Sequence, residues 1–194
     1  MPRLSILLIA LAALAGDTYS TPTGDVAVEM VSTGPGKPAE GIGRGIVEAP
    51  PERVFRALTD YAHWEEFMPY MEKSDARPGP DGSVESEHAM DFPSPLGERR
   101  YRVCFRHRVE AGAAGKTWRI EWSYVPGSGN VAGLRGSWTL TAQGADRTLA
   151  VCRLWTDLGG SVPASASDRG TARMLPWIFD GLRQHVRRSR YDGS

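Results

Sequence analysis

The sequence lacks the features that mark several large classes of protein. Its 194 residues carry 23 Lys and Arg against 23 Asp and Glu, so neither charge is in excess. A general nucleic-acid binder is expected to be basic, and we therefore expect no nucleic-acid partner. A Ser-His-Asp order, a glycine-rich phosphate loop and a paired-cysteine zinc spacing are also missing. We accordingly assign no catalytic residue, no metal and no cofactor.

Cysteine is scarce, and a hydrophobic run opens the chain. In MPRLSILLIALAALAG a single Arg3 precedes apolar residues and the small-residue pattern Ala13-Leu14-Ala15, which is typical of a secretory signal peptide. The run is too short to cross a bilayer comfortably. We expect residues 1–15 to be cleaved and the protein to be exported, either periplasmic or secreted, with an uncleaved amino-terminal anchor as the alternative. In an exported protein Cys104 and Cys152 invite a disulfide.

The length and the 41% hydrophobic content allow one ordinary globular domain. Residues 16–41 are rich in Gly, Pro, Ser and Thr, so we predict a flexible linker there, with room for one edge strand at 25–31. The domain itself is expected over residues 42–190.

The last segment, 161–190, predicts the major helix. Its apolar residues recur at three-four spacing and form one stripe, made of Leu175, Ile178, Phe179, Leu182 and Val186. Pro163 suits a helix start, and Pro176 predicts a kink or two abutting helices near Met174.

Upstream of this helix the apolar period changes to two. From residue 84 onwards, apolar and polar side chains alternate in several runs joined by short turns, which predicts an antiparallel meander. Two short helices are expected before it, around residues 54–58 and 62–67. A sheet with one apolar face and a helix with one apolar stripe predict an α+β, two-layer fold.

Five short motifs, taken in order, resemble a known superfamily. They are A-P-P-E-x-V-F with T-D-Y and F-M-P over 49–69, F-P-S-P-L at 92–96, G-S-W-T-L at 136–140, D-R-T-L at 146–149 and D-L-G-G-S-V-P at 157–163. This series is similar to the START-like and polyketide cyclase superfamily (SRPBCC), including its coenzyme Q-binding branch. Cys152-Arg153 departs from it, because an aromatic residue is expected there.

The resemblance implies a helix-grip fold. A curved antiparallel sheet of about seven strands would wrap around the long C-terminal helix, with two short helices after the first strand and a cavity between sheet and helix. In that strand order Cys104 and Cys152 lie about three strands apart, which is too far for a disulfide and implies two separate thiols.

The cavity implied by the resemblance is the candidate site. Its expected ligand-binding residues are large and apolar: Phe92, Tyr101, Phe105, Trp118, Trp122, Tyr124, Trp138, Leu175, Ile178, Phe179 and Leu182. His88, His107 and Arg153 are candidate polar pocket groups. The expected function is binding or transport of a hydrophobic small molecule such as a lipid, an isoprenoid or a polycyclic compound.

Two other functions stay open at this point. The first is a cyclase or aromatase, with His88, His107 or Tyr101 as the acid-base group, and the second is an interaction module whose core is filled. The expected partner is the hydrophobic ligand, with transient membrane contact as an option, and we expect a monomer.

Overall fold

A computed structural model describes residues 16–93, 96–112, 115–160 and 162–191. The strands are β1 (Asp17–Thr21), β2 (Gly24–Val31), β3 (Glu40–Val47), β4 (Met71–Pro78), β5 (Val84–Phe92), β6 (Gly97–Gly112), β7 (Gly115–Tyr124), β8 (Gly133–Ala142) and β9 (Thr148–Asp157). The α-helices are α1 (Pro51–Thr59) and α2 (Ala164–His185), and the short 3-10 helices are Tyr61–Glu66, Pro80–Gly82 and Ser189–Tyr191.

The strands form one antiparallel sheet in the order β1-β2-β3-β9-β8-β7-β6-β5-β4. Helix α2 packs against β1, β2, β3 and β9, while α1 packs against β7 and β8. The predicted α+β helix-grip architecture is confirmed, including the two short helices after a strand. The sheet has nine strands instead of about seven, because two strands precede the one from which the domain was predicted to begin.

Those two strands lie in the predicted linker. The strand expected at 25–31 is present as β2, but it is not at the edge of the sheet, because β1 pairs with it, and the prediction of a flexible linker for the rest of the segment was wrong. β1 and β2 form a hairpin whose Val26 and Val28 belong to the core. The turn of this hairpin is tied to α2, since Thr23 donates from its backbone N and its hydroxyl to Asp180 Oδ1 at 3.1 and 2.7 Å. The Gly- and Thr-rich composition therefore reflects tight turns that are held by a helix far along the chain.

Helix α2 is a single helix from Ala164 to His185, with Pro163 at its N-cap. Pro176 lies inside it and is buried, so of the two alternatives expected there, a kink or two abutting helices, the second was wrong. A proline removes one backbone hydrogen bond, and we attribute the continuity of the helix to the packing of its apolar stripe on the sheet.

The two cysteines lie on β6 and β9, with two strands between them. Both are free thiols, as predicted. Within the described ranges, no helix has the length and hydropathy needed to cross a bilayer. The predicted signal peptide, residues 1–15, lies outside the described residues.

Candidate functional site

A cavity of about 90 Å³ lies between α2 and the inner face of the sheet. One water molecule needs roughly 10–15 Å³ by the same measure, so the space can take several water-sized groups. The wall is formed by side chains of β4 to β9, of the β7–β8 loop, of α2 from Ser167 to Ile178 and of the segment after α1, and most of it is apolar. The aliphatic part of the wall is Val103, Val131, Leu134, Leu154, Leu158 and Ile178.

Several of the predicted ligand-binding residues meet in this wall. They are Phe92, Tyr101, Trp122, Trp138 and Ile178. Each comes from a different element, namely β5, β6, β7, β8 and α2. Alternation along the strands and the helical period of α2 are the reasons that these side chains face the same space.

The other predicted apolar residues do not line the cavity, and the structure corrects their assignment. Phe105, Trp118, Leu175, Phe179 and Leu182 are buried in the packed core, whereas Tyr124 is half-buried at the end of β7. Phe105, for example, stacks on Tyr61 with ring centroids 4.1 Å apart. The inner face of the sheet is longer than the cavity, so facing inward does not by itself place a residue in the cavity wall.

Of the predicted polar groups, His88 is in the wall. It lies on β5, stacked at 5.8 Å on Trp64 and edge-on to Tyr101 at 5.6 Å. Burial lowers the pKa of His88 to about 3, so the imidazole is neutral at physiological pH. Its Nε2 atom is buried and makes no hydrogen bond within the described part of the chain.

His107 and Arg153 lie outside the cavity, which corrects both assignments. β6 is 16 residues long and extends beyond the cavity, so His107 is exposed and its Nδ1 lies 3.1 Å from the Tyr61 hydroxyl. Arg153 points to the outer face of β9, where it pairs with Glu40. Alternation along β9 instead turns Cys152 inward, and burial raises the pKa of its thiol.

Two further aromatic residues bring polar atoms to the wall. The Tyr101 hydroxyl donates to Met90 Sδ at 2.8 Å, and burial raises the pKa of Tyr101. Trp138 is fully buried, with its ring 5.2 Å from that of Phe179. No atom of the described residues accepts a hydrogen bond from its Nε1.

One aromatic residue and the methionines of the wall were not among the predicted site residues. Trp64 lies in the 3-10 helix after α1, and four of the six methionines of the chain line the cavity: Met68, Met71, Met90 and Met174. Helical spacing does not bring these residues together, because the 3-10 helix ends at Glu66 and Met71 begins β4, so no local period in the sequence identifies the methionines. Across the described ranges, no group of three His, Cys, Asp or Glu side chains could hold a metal ion.

Similarity to known proteins agrees with this geometry. The model of the family "Polyketide cyclase / dehydrase and lipid transport" matches residues 47–180, from the end of β3 to α2. No curated protein matches the chain.

Solved structures share the fold at low sequence identity. The STAR-related lipid transfer protein from Xanthomonas axonopodis has a TM-score of 0.75 at 19% identity, covering 89% of this chain and 98% of that chain. Human STARD10 has a TM-score of 0.68 at 13% identity, covering 90% and 74%. The Zhui aromatase/cyclase from Streptomyces sp. R1128 has a TM-score of 0.55 at 15% identity, covering 80% and 98%.

At such identities the structural similarity concerns the fold, and one fold can serve both lipid carriers and cyclases. The family match is stronger, because it covers most of the chain and the same elements that enclose the cavity. The chain belongs to the polyketide cyclase / dehydrase and lipid transport family.

Proposed function

We propose that this protein binds an apolar small molecule in the cavity between α2 and the sheet and carries it without chemical change. The observation that supports this most directly is the cavity itself, whose wall is mostly aliphatic and aromatic. Burial of each methylene group contributes about 0.8 kcal/mol. A space of this kind can therefore hold an apolar ligand without a catalytic group.

The size of the cavity favours a compact ligand over a fully enclosed long acyl chain. At about 90 Å³ it is smaller than the roughly 150 Å³ cavity that holds one benzene ring, so a small polycyclic or isoprenoid group needs some rearrangement of the wall and a longer chain needs more. Methionine side chains adapt readily to new shapes. Met68, Met71 and Met174 are only half-buried, so we place the entrance and the adaptable part of the wall on their side.

A cyclase or aromatase is the second candidate, because His88 and Tyr101 are neighbours in the wall. An effective general base has a pKa near the working pH. The pKa of about 3 for His88 makes it a weak base, and the raised pKa of Tyr101 disfavours its ionised form. No carboxylate is among the described residues that line the cavity. These properties favour binding over acid-base chemistry.

We further propose that the ligand is exchanged at a membrane surface. Tyr19, Tyr70 and Trp177 are exposed and line one groove on the outside of α2, together with Arg173. Tyrosine and tryptophan favour the boundary between water and lipid, and a cation favours anionic headgroups. Met174 lines both this groove and the cavity, so a ligand could enter near the membrane-facing side chains.

The proposed location is outside the cytoplasm. The signal-peptide pattern over residues 1–15 supports it, and β1 begins at Asp17, directly after that segment. Amino-terminal sequencing of protein from separated cell fractions tests this. We expect a new terminus after Ala15 in the exported fraction, and an uncut protein in the cytoplasm would contradict the proposal.

Native mass spectrometry of the protein purified from cells tests the binding function. We expect a monomer carrying an added mass, and solvent extraction should release that mass as an apolar compound. The same protein stripped by unfolding and refolding is the control, and it should regain mass when incubated with a total lipid extract. A protein that stays empty in both experiments would favour the interaction module with a filled core.

A further inference from the structure

Two buried nitrogen atoms that belong to residues of the cavity wall have no hydrogen-bond partner in the described part of the chain. They are Trp138 Nε1 on β8 and His88 Nε2 on β5. Most buried polar groups in proteins are hydrogen-bonded, and an orphaned one costs about 1–3 kcal/mol. Both atoms belong to residues that face the same cavity, so a bound molecule can supply the missing partners.

The chemistry of Trp138 defines what that molecule must offer. An indole N–H can donate a hydrogen bond but cannot accept one. Trp138 is fully buried, and its ring is held by Phe179 at 5.2 Å. The ligand therefore needs an acceptor atom, most simply an oxygen, positioned at the indole nitrogen.

The wall also limits the charge of the ligand. Its polar members among the described residues are uncharged. They are His88, Tyr101, Cys152, Thr156, Ser167 and Thr171, together with the tryptophans Trp64, Trp122 and Trp138. An ionised group without a partner is strongly disfavoured in such surroundings. The low pKa of His88 means that the imidazole supplies no positive charge at neutral pH.

We propose that the ligand is an uncharged, mainly apolar molecule with a carbonyl or ether oxygen that accepts a hydrogen bond from Trp138 Nε1, and that His88 Nε2 contacts a second polar atom of it. This rests on the proposed binding function. A pure hydrocarbon would leave the indole N–H unpaired, and a carboxylate would lack a counter-charge. Selectivity would come from Trp138, whereas the apolar wall would supply most of the affinity.

Binding of matched probes tests this inference. Fluorene and 9-fluorenone have nearly the same shape and differ by one carbonyl oxygen, and 9-fluorenone-2-carboxylate adds a charge. Titration of the wild-type protein followed by tryptophan fluorescence should give an affinity for fluorenone about tenfold higher than for fluorene, as one satisfied buried donor predicts. The carboxylate should bind more weakly than fluorenone.

Two variants and one spectrum complete the experiment. Trp138→Phe keeps an aromatic ring without the N–H, so the preference for fluorenone should fall to about one. Trp118→Phe is the matched control, because Trp118 is buried outside the cavity wall, and it should retain the preference. In the wild-type protein, the Trp138 indole ¹H–¹⁵N signal should move downfield with fluorenone but not with fluorene.

The outcomes separate this inference from the binding function. Equal affinities for fluorene and fluorenone, a preference that survives in Trp138→Phe, or an indole signal that fluorenone leaves unmoved would overturn the role of Trp138. If water fills the cavity and satisfies the indole, the two probes will bind alike. If neither probe binds, the compound extracted in the mass-spectrometry experiment decides: a compound that is charged or lacks an acceptor oxygen overturns this inference and leaves the binding function standing, and a protein that carries no compound overturns both.

Discussion

The Phe179 ring lies directly over the backbone of Gly43, so close that a β-carbon at residue 43 would be 2.9 Å from Phe179 Cε2. The same holds two residues to either side along β3, since a β-carbon at Gly41 would be 2.6 Å from Thr171 and one at Gly45 would be 2.8 Å from Arg183. The three helix residues are spaced by multiples of four, and the glycines by two. Alternate glycines therefore let α2 approach the sheet closely beside the cavity.

This contact predicts that Gly43→Ala destabilises the protein. The added methyl group would have to displace the Phe179 ring or move α2 away from β3, and overpacking of this kind costs about 1–3 kcal/mol. Urea unfolding followed by circular dichroism measures the change in the free energy of unfolding. Gly170→Ala is the control, because a β-carbon there would meet no atom of the described residues within 4 Å, and alanine inside a helix should add up to about 1 kcal/mol of stability. Equal stability of both variants would disprove the close-approach argument.

Arg183 carries the other attachment of α2 to the sheet. Its guanidinium donates to the carbonyl oxygens of Ile46 at 2.8 Å, of Gly24 at 2.7 Å and of Asp25 at 2.7 Å. Burial lowers the pKa of Arg183, but these carbonyls compensate for the lost hydration. The residue holds the β1–β2 hairpin on the helix.

We expect Arg183→Met to loosen this hairpin. The variant keeps much of the side-chain volume and leaves buried carbonyls unpaired, at a cost of about 3 kcal/mol. Hydrogen exchange should speed up at the amides of β2, around Val26, before the rest of the sheet is affected. Arg187→Met, at an exposed position one turn later, is the control and should leave exchange unchanged. Uniform acceleration over the whole sheet would argue against a local role.

Elements that depend on a local pattern of residues were predictable from the sequence. Elements whose structure depends on contacts with residues far along the chain were not. The alternation in β5 to β9 and the stripe on α2 are properties of short segments, so the fold class and the inner face were predictable. The hairpin of β1 and β2 is held by Asp180 and Arg183, more than 150 residues away, and its local composition resembles a linker. Whether an inward-facing residue lines the cavity or fills the core depends on how its neighbours pack. Trp138 and Phe105 are both aromatic residues at inward positions of alternating strands, yet Trp138 lines the cavity and Phe105 does not.

The burial of His88 predicts that the free energy of unfolding decreases as the pH is lowered. Its pKa is about 3 in the folded protein and near 6.5 when unfolded, so below pH 6.5 the unfolded chain binds a proton that the folded protein excludes. The contribution of neutral His88 to the free energy of unfolding is therefore fully present above pH 6.5. It is lost as the pH falls towards 3, by at most about 1.4 kcal/mol per pH unit. Urea unfolding of the wild type and of His88→Gln between pH 5 and 8 measures this. The variant should show the shallower slope below pH 6.5, and parallel curves would mean that His88 does not titrate as its burial requires.

The proposed membrane contact predicts a role for Trp177 in surface binding. The side chain is 68% exposed on α2 and shares its groove with Tyr19 and Tyr70, so removing it should change surface binding and leave the fold intact. In co-sedimentation with vesicles of anionic and neutral phospholipid, we expect Trp177→Ala to bind several-fold more weakly than the wild type, because an interfacial tryptophan is lost. Val109→Ala removes an apolar side chain that is 50% exposed on the long β6 strand, away from this groove, and serves as the control. Equal loss in both variants would indicate unspecific adsorption, whereas loss in Trp177→Ala alone would assign the membrane contact to the face of α2 beside Met174.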